Sequence, residues 1–504
     1  MVLVEGNTFT KKGRVVGEEL SLFRPEFNGS IRVEARAERL TSDAGAVLVR
    51  DVLERLGIPE WLRGRLSDTR NPELITHPLS ELVMTMVLMF AQGWRDQDDA
   101  DALRDDAVFR LAVSERRGIS PLETREETAR RQNRNPEHPD GLASQPTLSR
   151  TVRMLSTEEN RQALREGLLE TTARRFRALR GGHRQRYLTV DVDSLPIEVH
   201  GHQPGSEYNG HYHARVYHPL VASVGETGDL LDARLRPGNV HTAEGALDFI
   251  VPLLGRVEAN LCQVAAVRMD AGFPEETVLG ALEERGTPYV ARVKNNKVLN
   301  RMAEPYLKRP VGRPPNEPRT WLYEMSYQAE TWSRPRRVVL VVLERENELF
   351  LHHFWLITNW TPEQMPGASL LEMYRQRGTA EGHMGELMSV LDPALSSSPR
   401  PKSHYRGRTP VQRFPSGDSF AQNEVLLLLN VLAYSAAHAT RLVVEASTGE
   451  GWSLKRVQER VLRVAARVLV HGRRAVLVIA EATARLWEKL WAQLERIPAI
   501  ADAK

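Results

Sequence analysis

Two aspartates follow apolar segments at points where a β-strand is expected to end. Asp193 closes YLTVDVD just before Ser-Leu-Pro, and Asp270 closes VAAVRMD just before Ala-Gly-Phe-Pro. In α/β sheets, functional groups gather outside the carboxyl ends of strands, and a carboxylate on an apolar strand is costly to bury unless it is paired or binds a cation. A turn or cap aspartate is the commoner explanation for either residue alone. Asp191 shares a strand face with Asp193, so both remain candidates for the first acid.

A third candidate acid lies on a segment with helical periodicity, Ser369–Leu391. Tyr374, Arg377 and Glu381 are spaced i, i+3 and i+7, which places them on one narrow face of a helix. An ordinary solvated helix explains the same spacing, with Arg377 and Glu381 forming an exposed ion pair that contributes about 0.3–0.5 kcal/mol.

Glycines in this segment count against an ordinary surface helix, because each costs about 1 kcal/mol relative to alanine. Close approach of another backbone, or of a phosphate backbone, would explain them. They are Gly378, Gly382 and Gly385.

Composition bounds the class of protein. The chain has 504 residues, 41% of them hydrophobic and 26% charged, so it can bury one large core or two to three smaller ones. It lacks both the run of about 20 apolar residues that a membrane span requires and an N-terminal secretion signal, so we expect a cytoplasmic protein. The single cysteine, Cys262, excludes an internal disulfide and cysteine-based zinc frameworks. Because Lys and Arg total 68 and Asp and Glu total 65, the net charge of +3 says little by itself.

The period of the hydrophobic residues divides the chain. It predicts helices up to about residue 180, after an extended N-terminal arm. From Arg186 to Lys294 it predicts the order β-β-β-α-β-α-β, which indicates a mixed sheet with a meander and helical crossovers. Over residues 295–350 the hydrophobic pattern predicts strands without clear helices. A further strand near Leu351–Asn359 is expected to return to the main sheet. Helices are predicted again from Phe420 to Ile497.

Seven segments, in their order and spacing, make the sequence similar to DDE-type transposases of bacterial insertion sequences. The similarity is to the group with a Y-x2-R-x3-E signature on the helix of the last acid and a β-strand insertion before it. The segments are LTSDAGAVLVRDVLERLG, GWRDQDDADALRDDAVFRLAV, LASQPTLSR, DVDSLPIEVHGHQPG, YHPLVASVGETGDLL, VRMDAGF and YRQRGTAE. The resemblance implies an α/β (α+β) fold, in which a ribonuclease-H-like mixed-sheet catalytic core is interrupted by a β-rich insertion and flanked by helical N- and C-terminal regions.

The domain organisation expected on this basis has six parts. They are a helical N-terminal DNA-binding region with an extended arm (1–180), the first part of the catalytic core (181–294), the β-rich insertion (295–350), the second part of the core (351–392), a basic loop (393–419) and a helical C-terminal region for DNA-end binding or dimerisation (420–504).

Matched to the family motifs, the catalytic and metal-binding acids are Asp193, Asp270 and Glu381. The chain departs from the family pattern at Leu195, which stands at a threonine position, and at Met388, which stands where a lysine usually follows the glutamate. Methionine at position 388 cannot make the phosphate contact that a lysine there could make.

Phosphodiester chemistry at such a site predicts two Mg²⁺ ions per active site, for which Mn²⁺ is expected to substitute. Asp193 is expected to bridge both ions, Asp270 to hold one and Glu381 the other. Arg377 and Tyr374 are expected to contact the phosphates of the terminal strand.

Basic clusters predict further DNA contacts, with solvated charge runs as the alternative. Residues 171–190 hold six arginines and no acid. Residues 400–413 hold five basic residues and no acid, including Lys402, Arg406 and Arg408.

The predicted β-rich insertion offers two more candidates. KRPVGRPPNEPR resembles an AT-hook core, in which Arg313 would enter a minor groove, although a proline-rich loop tip is the commoner explanation. Trp332 is a candidate for stacking on an extruded base, as the family's insertion tryptophan does. Trp321 is the alternative, and core packing is the commoner role of either.

Five histidines between the first two main strands resemble a metal cluster. The glycines among them favour a loop instead, and Gly201 and Gln203 fit the family's G-x-Q element. The histidines are His200, His202, His211, His213 and His218.

The expected function is cut-and-paste transposition: cleavage of double-stranded DNA at terminal inverted repeats and transfer of the 3′-hydroxyl ends into target DNA. We expect a homodimer that holds both ends, nucleoid-associated in a bacterial cytoplasm, with no membrane partner. Two alternatives remain. One is a catalytically silent, domesticated DNA-binding protein, suggested by Met388, and the other is a structure-selective nuclease on the same core.

Overall fold

The structure is a computed structural model that describes residues 20–23, 26–31, 33–35, 38–122, 141–178, 186–309, 317–346, 348, 350–398 and 417–497. The predicted DNA contacts Arg313, Lys402, Arg406 and Arg408, together with the whole 400–413 cluster, lie outside these residues.

The N-terminal region is mainly helical, as its hydrophobic period predicts. Three short strands precede the helices: β1 (Leu20–Phe23), β2 (Val33–Ala35) and β3 (Arg39–Thr41). The helices are α1 (Ala46–Arg55), α2 (Ile58–Arg65), α3 (Leu79–Ala91), α4 (Ala100–Leu103), α5 (Ala107–Val113), α6 (Gln145–Leu155) and α7 (Glu158–Ala178). Helix α3 is apolar along nearly its whole length, and its side chains are buried from Leu82 to Ala91. It is therefore a core helix rather than an amphipathic surface helix.

The central part of the chain alternates strands and helices. The strands are β4 (Tyr187–Ser194), β5 (Ile197–Glu198), β6 (Glu207–Asn209), β7 (Ala214–Tyr217), β8 (Leu220–Val224), β9 (Leu230–Arg234), β10 (Gln263–Met269) and β11 (Tyr289–Val293). The helices are α8 (Ala246–Asn260) and α9 (Glu276–Glu284), the two crossovers that the sequence predicts.

The next part contains α10 (Lys297–Ala303) and then β12 (Arg319–Tyr327), β13 (Arg336–Glu344) and β14 (His352–Thr358). The expectation of no helix between residues 295 and 350 was therefore wrong at α10. This helix begins with an Asn296 side chain that accepts hydrogen bonds from the backbone N–H groups of Val298 and Leu299, a cap that the hydrophobic period does not reveal.

One mixed sheet of eight strands runs in the order β12-β13-β14-β11-β10-β4-β8-β9. Strand β10 is parallel to both β4 and β11, whereas β4, β8 and β9 form an antiparallel meander. This arrangement confirms the predicted mixed sheet with helices in the flanking regions. The strands of the expected insertion do not form a separate sheet, since β12 and β13 extend the main sheet beyond β14.

The helix predicted over Ser369–Leu391 is divided. It consists of α11 (Gly367–Arg375), α12 (Arg377–Glu386) and a final π-helical turn, Leu387–Leu391. Gln376 separates the two α-helices but keeps right-handed helical backbone angles, φ −61° and ψ −15°.

The C-terminal part contains α13 (Gly417–Thr448), α14 (Leu454–Val457), β15 (Ala466–His471), β16 (Arg474–Ile479) and α15 (Glu481–Glu495). Helix α13 is long and apolar enough to meet a length-and-hydropathy test for membrane spans, but 94% of its most apolar window is buried inside the protein. It packs against α1, α3, α6 and α7, as the core helix of a globular protein does.

A β-hairpin interrupts this C-terminal region, where the sequence had predicted only helices. Strand β15 pairs with β16 and also with β3, so the hairpin completes a three-stranded sheet with the N-terminal region. The segment RVAARVLV allows either period, and pairing with a strand more than 400 residues away decides in favour of β-structure.

Candidate active site

The first two acids lie side by side at the carboxyl ends of adjacent parallel strands. The register pairs Met269 of β10 with Val192 of β4, so the residues that follow, Asp270 and Asp193, are neighbours. Leu188, Val190 and Val192 point into the hydrophobic core of the sheet, which places Asp193 on the opposite face.

Backbone groups orient both carboxylates. The N–H of Ser194 donates to Asp193 Oδ1 at 2.9 Å, and the N–H of Gly272 donates to Asp270 Oδ1 at 2.7 Å. The Gly272 position has no room for a side chain, because a Cβ there would lie 2.6 Å from Thr242. The D-A-G-F turn that follows β10 is thus fixed by packing.

The third acid is connected to the first through one arginine. Arg377 donates from Nη2 to Asp193 Oδ2 and from Nη1 to Glu381 Oε1. Arg377 is 9% exposed, whereas the Glu381 side chain is 57% exposed. The Arg377–Glu381 pair is therefore not the solvated surface pair of an ordinary helix, because its guanidinium is buried against a strand-end aspartate.

The charges of all three acids act on one another. Burial is the largest cause that raises the pKa of Asp193. The attraction of Arg377 opposes it, the negative charges of Asp270 and Glu381 add to it, and the net pKa is about 6. Burial alone would lower the pKa of Arg377, but the surrounding charges of Asp193, Tyr374, Glu381 and Asp270 raise it. The charges of Asp270 and Glu381 therefore act on both Asp193 and Arg377.

Asp191, the alternative for the first acid, is already engaged. It is 1% exposed, and its two carboxylate oxygens accept hydrogen bonds from Arg268 at 2.6 Å each. Asp191 shares the face of Asp193 as predicted, but its oxygens are saturated by a buried guanidinium. Each oxygen of Asp193 also accepts a hydrogen bond, but its side chain is 18% exposed against 2% for Asp191, so Asp193 is the more accessible of the two acids.

Residues 23–399 match the family described as the transposase DDE domain group 1, which is about three quarters of the chain. The chain belongs to the DDE transposase family. Among curated proteins, no sequence is significantly similar to it. A solved structure with 13% identity, a cryo-EM structure of the piggyBac transposase synaptic complex with hairpin DNA, matches over 83% of this chain and 79% of that chain with a TM-score of 0.39.

DDE transposases use divalent metal ions, and the donor set of this transposase fits them. The three acids offer only oxygen atoms, which hard cations prefer. Among the described residues, no group of three or more Asp, Glu, His or Cys side chains lies close enough together to hold a metal ion. At this site the guanidinium of Arg377 lies between Asp193 and Glu381. Glu381 is exposed on its helix and has room to rearrange.

Tyr374 lies on the same side as the acids. Burial raises its pKa, as do the charges of Asp270 and Glu381, while Arg377 and Arg292 oppose them. Its ring is tilted against Phe354, with centroids 6.5 Å apart. The three-residue face predicted from the spacing of Tyr374, Arg377 and Glu381 is therefore directed at the strand ends.

The helix glycines face open space. A Cβ placed at Gly378, Gly382 or Gly385 would meet no atom within 4 Å. The expected close approach of another protein backbone is therefore wrong for the described part of the transposase. Met388, seven residues after Glu381, is half-buried and packs against the helical core. At this position the family usually has a charged lysine, whereas this chain has an apolar packing contact.

Trp332 is buried in the free transposase. It is 6% exposed, lies edge-on to Tyr327 at 5.4 Å and accepts the guanidinium of Arg336 over its ring at 5.2 Å. Trp321 is half-buried at the edge of the same hydrophobic cluster. These contacts fit core packing, so stacking of Trp332 on a base requires the indole to leave them.

Two arginines of the 171–190 cluster have structural roles. Arg174 and Arg175 are 7% and 4% exposed, and they pair with Glu170 and Asp229. The expectation that this whole cluster contacts DNA was therefore wrong for these two residues, because helix α7 buries one of its faces. Arg177 and Arg186 of the same cluster are exposed.

Sequence reasoning missed one aromatic residue at this site, Tyr212. Tyr212, on the turn between β6 and β7, has its pKa raised by burial and by the charges of Asp193 and Asp270. Its ring meets that of His218 at 5.8 Å. The histidines of this region do not form a metal cluster with the other described residues. Only the small sheet β5-β7-β6, which no local pattern predicts, brings Tyr212 to the acids.

Proposed function

We propose that the transposase excises a DNA element by cleaving at its terminal inverted repeats and joins the freed 3′-hydroxyl ends to target DNA. One observation carries the proposal: Asp193 and Asp270 lie side by side at the strand ends, and Arg377 connects Asp193 to Glu381. No side chain at this site is a strong nucleophile, so the attacking oxygen comes from water or a DNA hydroxyl.

Asp193, Asp270 and Glu381 would hold two Mg²⁺ ions, with Mn²⁺ as a substitute, and Asp193 would contribute to both. When bound, such ions activate the attacking oxygen and stabilise the charge that develops on the phosphate and the leaving oxygen. Asp191 is not expected to bind them, because its side chain is only 2% exposed and Arg268 contacts both of its oxygens.

Arg377 is proposed to exchange its carboxylate partners for a DNA phosphate, which its planar guanidinium can contact through two donors. Tyr374 would donate from its hydroxyl to a neighbouring phosphate. The open face of Gly378, Gly382 and Gly385 would let the phosphate backbone approach the helix closely. The proposed phosphate-binding side chains and the open glycine face thus lie on α11 and α12, and α12 also carries Glu381.

Further DNA contacts are proposed for Arg313, Lys402, Arg406 and Arg408, and for Trp332 after a local rearrangement. Two element ends must be processed together, so we propose a homodimer in the DNA complex. The six-part division of the chain is retained as a proposal, with the modification that the insertion strands share the catalytic sheet.

The decisive experiment compares Asp193→Asn, Asp270→Asn and Glu381→Gln with Asp248→Asn, an exposed acid on α8. The purified proteins are incubated with Mg²⁺ and DNA bearing the inverted repeats that flank the gene, and cut positions are mapped. We expect each site variant to lose at least about 100-fold in cleavage rate, while the control retains the wild-type rate. Wild-type rates in the three site variants would refute the assignment.

A strand-transfer assay with pre-cut ends separates a transposase reaction from a structure-selective nuclease. Joining of the 3′-hydroxyl ends to a target plasmid supports transposition, whereas cleavage without joining supports the nuclease. Binding of the end DNA without either reaction would support the catalytically silent alternative.

A further inference from the structure

Arg268 is a fully buried arginine beside the acids. It is 1% exposed and lies on β10, two residues before Asp270. Its Nε and Nη2 donate to the two oxygens of Asp191 at 2.6 Å each, and its Nη1 donates to the carbonyl oxygen of Met373 at 2.8 Å. Each of the three guanidinium nitrogens therefore donates a hydrogen bond.

Arg268 and its two partners lie on β10, β4 and α11: β4 carries Asp193, β10 ends just before Asp270, and α11 leads through Gln376 into α12, which carries Glu381. Asp191 lies on β4, two residues before Asp193 and on the same face. Met373 lies on α11, directly before Tyr374 and eight residues before Glu381. Asp191 and Arg268 each lie two residues before an acid and on the same strand face, so a displacement of either would move the backbone that carries that acid.

The surrounding backbone is shaped around this guanidinium. A Cβ at Gly225 would lie 2.4 Å from Arg268 Nη2 and 2.9 Å from Asp191 Oδ2. Gly225 itself is held by a hydrogen bond from its N–H to the carbonyl oxygen of Thr189 on β4. The turn after β8 thus leaves a fitted space in which the guanidinium cannot shift sideways.

Stability alone is a weak reason for such a contact. A buried ion pair generally contributes no more to folding than a well-packed apolar pair of the same volume, because both charges lose their water. What the ion pair adds is direction, since a two-point carboxylate contact and a carbonyl contact fix the guanidinium plane. That directional constraint lies where the acids need a fixed spacing.

We propose that Arg268 is a positioning residue of the active site, which sets the spacing of Asp193, Asp270 and the helix of Glu381 through Asp191 and Met373. It contacts no reacting atom. This inference rests on the proposed catalytic role of the three acids.

The chain offers a matched control on the far side of the same sheet. Arg165 of α7 makes the same two-point contact with Asp232 of β9, at 2.8 and 2.7 Å, and both side chains are buried. Neither residue touches an element that carries an acid at its end. Asp232 also pairs with Arg256, so Arg165→Met/Asp232→Leu/Arg256→Met removes the whole buried ion cluster, leaves no charge unpaired and does not change the proposed positioning contact.

The test compares Arg268→Met/Asp191→Leu with this control in the full chain. Urea unfolding identifies conditions in which each protein is folded. Mn²⁺ binding is then measured by the loss of the free-ion electron paramagnetic resonance signal, end-DNA affinity by fluorescence anisotropy in EDTA, and kcat and KM by cleavage. We expect the Arg268 variant to bind Mn²⁺ at least 10-fold more weakly and to lose at least 100-fold in kcat, with end-DNA affinity within 3-fold of wild type. The control is expected to keep both Mn²⁺ affinity and kcat.

Arg268→Lys is the second variant, in case the double variant does not fold. It keeps a charge against Asp191 but cannot make the three-sided contact, so the same loss of Mn²⁺ affinity is expected at a smaller size, about 3- to 10-fold. A folded Arg268 variant with wild-type Mn²⁺ affinity and kcat would overturn the inference.

The Asp193→Asn variant distinguishes failure of the positioning role of Arg268 from failure of the proposed function. If Asp193→Asn weakens Mn²⁺ binding and cleavage but the Arg268 variants do not, only the positioning role fails. If Asp193→Asn changes neither, the proposed function fails and the positioning role fails with it.

Discussion

Arg441 of the long core helix α13 forms an ion pair with Glu386, five residues after Glu381, with Nη1 and Oε2 2.5 Å apart. The other oxygen of Glu386 accepts a hydrogen bond from the backbone N–H of Leu454 at 2.9 Å. Burial would raise the pKa of Glu386, but His383, the Leu454 N–H and Arg441 together hold it at about 2. The helix of the third acid is thus attached to the C-terminal region by a carboxylate at its last turn.

Glu386→Gln is therefore expected to lower the free energy of unfolding by about 1–3 kcal/mol, because it weakens a charged hydrogen bond and leaves Arg441 poorly paired. Urea unfolding at pH 7 measures the change. The matched control is Glu481→Gln, whose pair with Arg485 is largely exposed, and it is expected to change stability by less than about 0.5 kcal/mol. Equal effects of the two substitutions would contradict the attachment.

Acid should weaken the fold through Glu283. Burial would raise the pKa of this carboxylate, but hydrogen bonds from Arg336, Arg334 and Tyr289 lower it to about 2. Since the folded pKa is below the ordinary value, the stabilisation is complete at neutral pH and is lost as the pH falls from about 5 to about 2. Glu283→Gln is expected to lower stability by roughly 2 kcal/mol at pH 7 and by much less near pH 2. Urea unfolding of both proteins across this range tests the convergence, and a constant difference would contradict it.

Asp193 is expected to reduce stability in the absence of divalent ions. Burial and the charges of Asp270 and Glu381 raise its pKa to about 6, so at pH 7 the carboxylate is ionised but its ionisation costs more free energy in the folded than in the unfolded protein. In EDTA, Asp193→Asn should unfold at the same or a higher temperature than wild type, with a gain of at most about 1 kcal/mol.

Addition of Mn²⁺ should raise the midpoint temperature of the wild type, because a ligand that binds only the folded state stabilises it. It should raise that of Asp193→Asn much less. Calorimetry with and without the ion measures both effects, and equal stabilisation of the two proteins would show that Asp193 does not bind the ion.

The open helix glycines make a prediction in which stability and DNA affinity change in opposite directions. Gly382→Ala adds a methyl group where no atom lies within 4 Å, so it should raise the free energy of unfolding by about 0.5–1 kcal/mol. The same methyl group should weaken binding of end DNA if a phosphate backbone approaches there.

Gly255→Ala in helix α8, also open within 4 Å, is the control that should stabilise without changing DNA affinity. Anisotropy with end DNA in EDTA provides the comparison. Unchanged DNA affinity in Gly382→Ala would remove the glycine face from the proposed DNA contact.

Local sequence patterns predicted the features that depend only on residues close together in the chain. The strand of Asp193 follows from alternating valines, and the end of each acid-bearing strand follows from the Pro and Gly residues after it. The spacing of Tyr374, Arg377 and Glu381 likewise gave one helix face. For this reason the main-sheet strands β4, β8, β9, β10 and β11, the two crossover helices and the mixed sheet were confirmed, whereas the short strands β5, β6 and β7 were not predicted as separate strands.

Contacts between distant segments could not be predicted in this way. The choice between Asp191 and Asp193 depends on Arg268, 77 residues from Asp191, and no residue near the aspartates signals it. The segment Arg463–Val470 allows both helix and strand, and only pairing with β3 decides between them. Tyr212 reaches the acids through a small sheet whose strands are only two to four residues long, too short to leave a periodic signal.

The pairing of β3 with β15 also has a consequence during synthesis. Thr41 finds its partner Ala466 only after most of the polypeptide has left the ribosome. At about 5–20 residues per second, translation separates the two strands by roughly 20–80 s. Throughout that interval the nascent N-terminal region exposes an unpaired strand edge, so this protein is expected to depend on chaperone protection while it is being made.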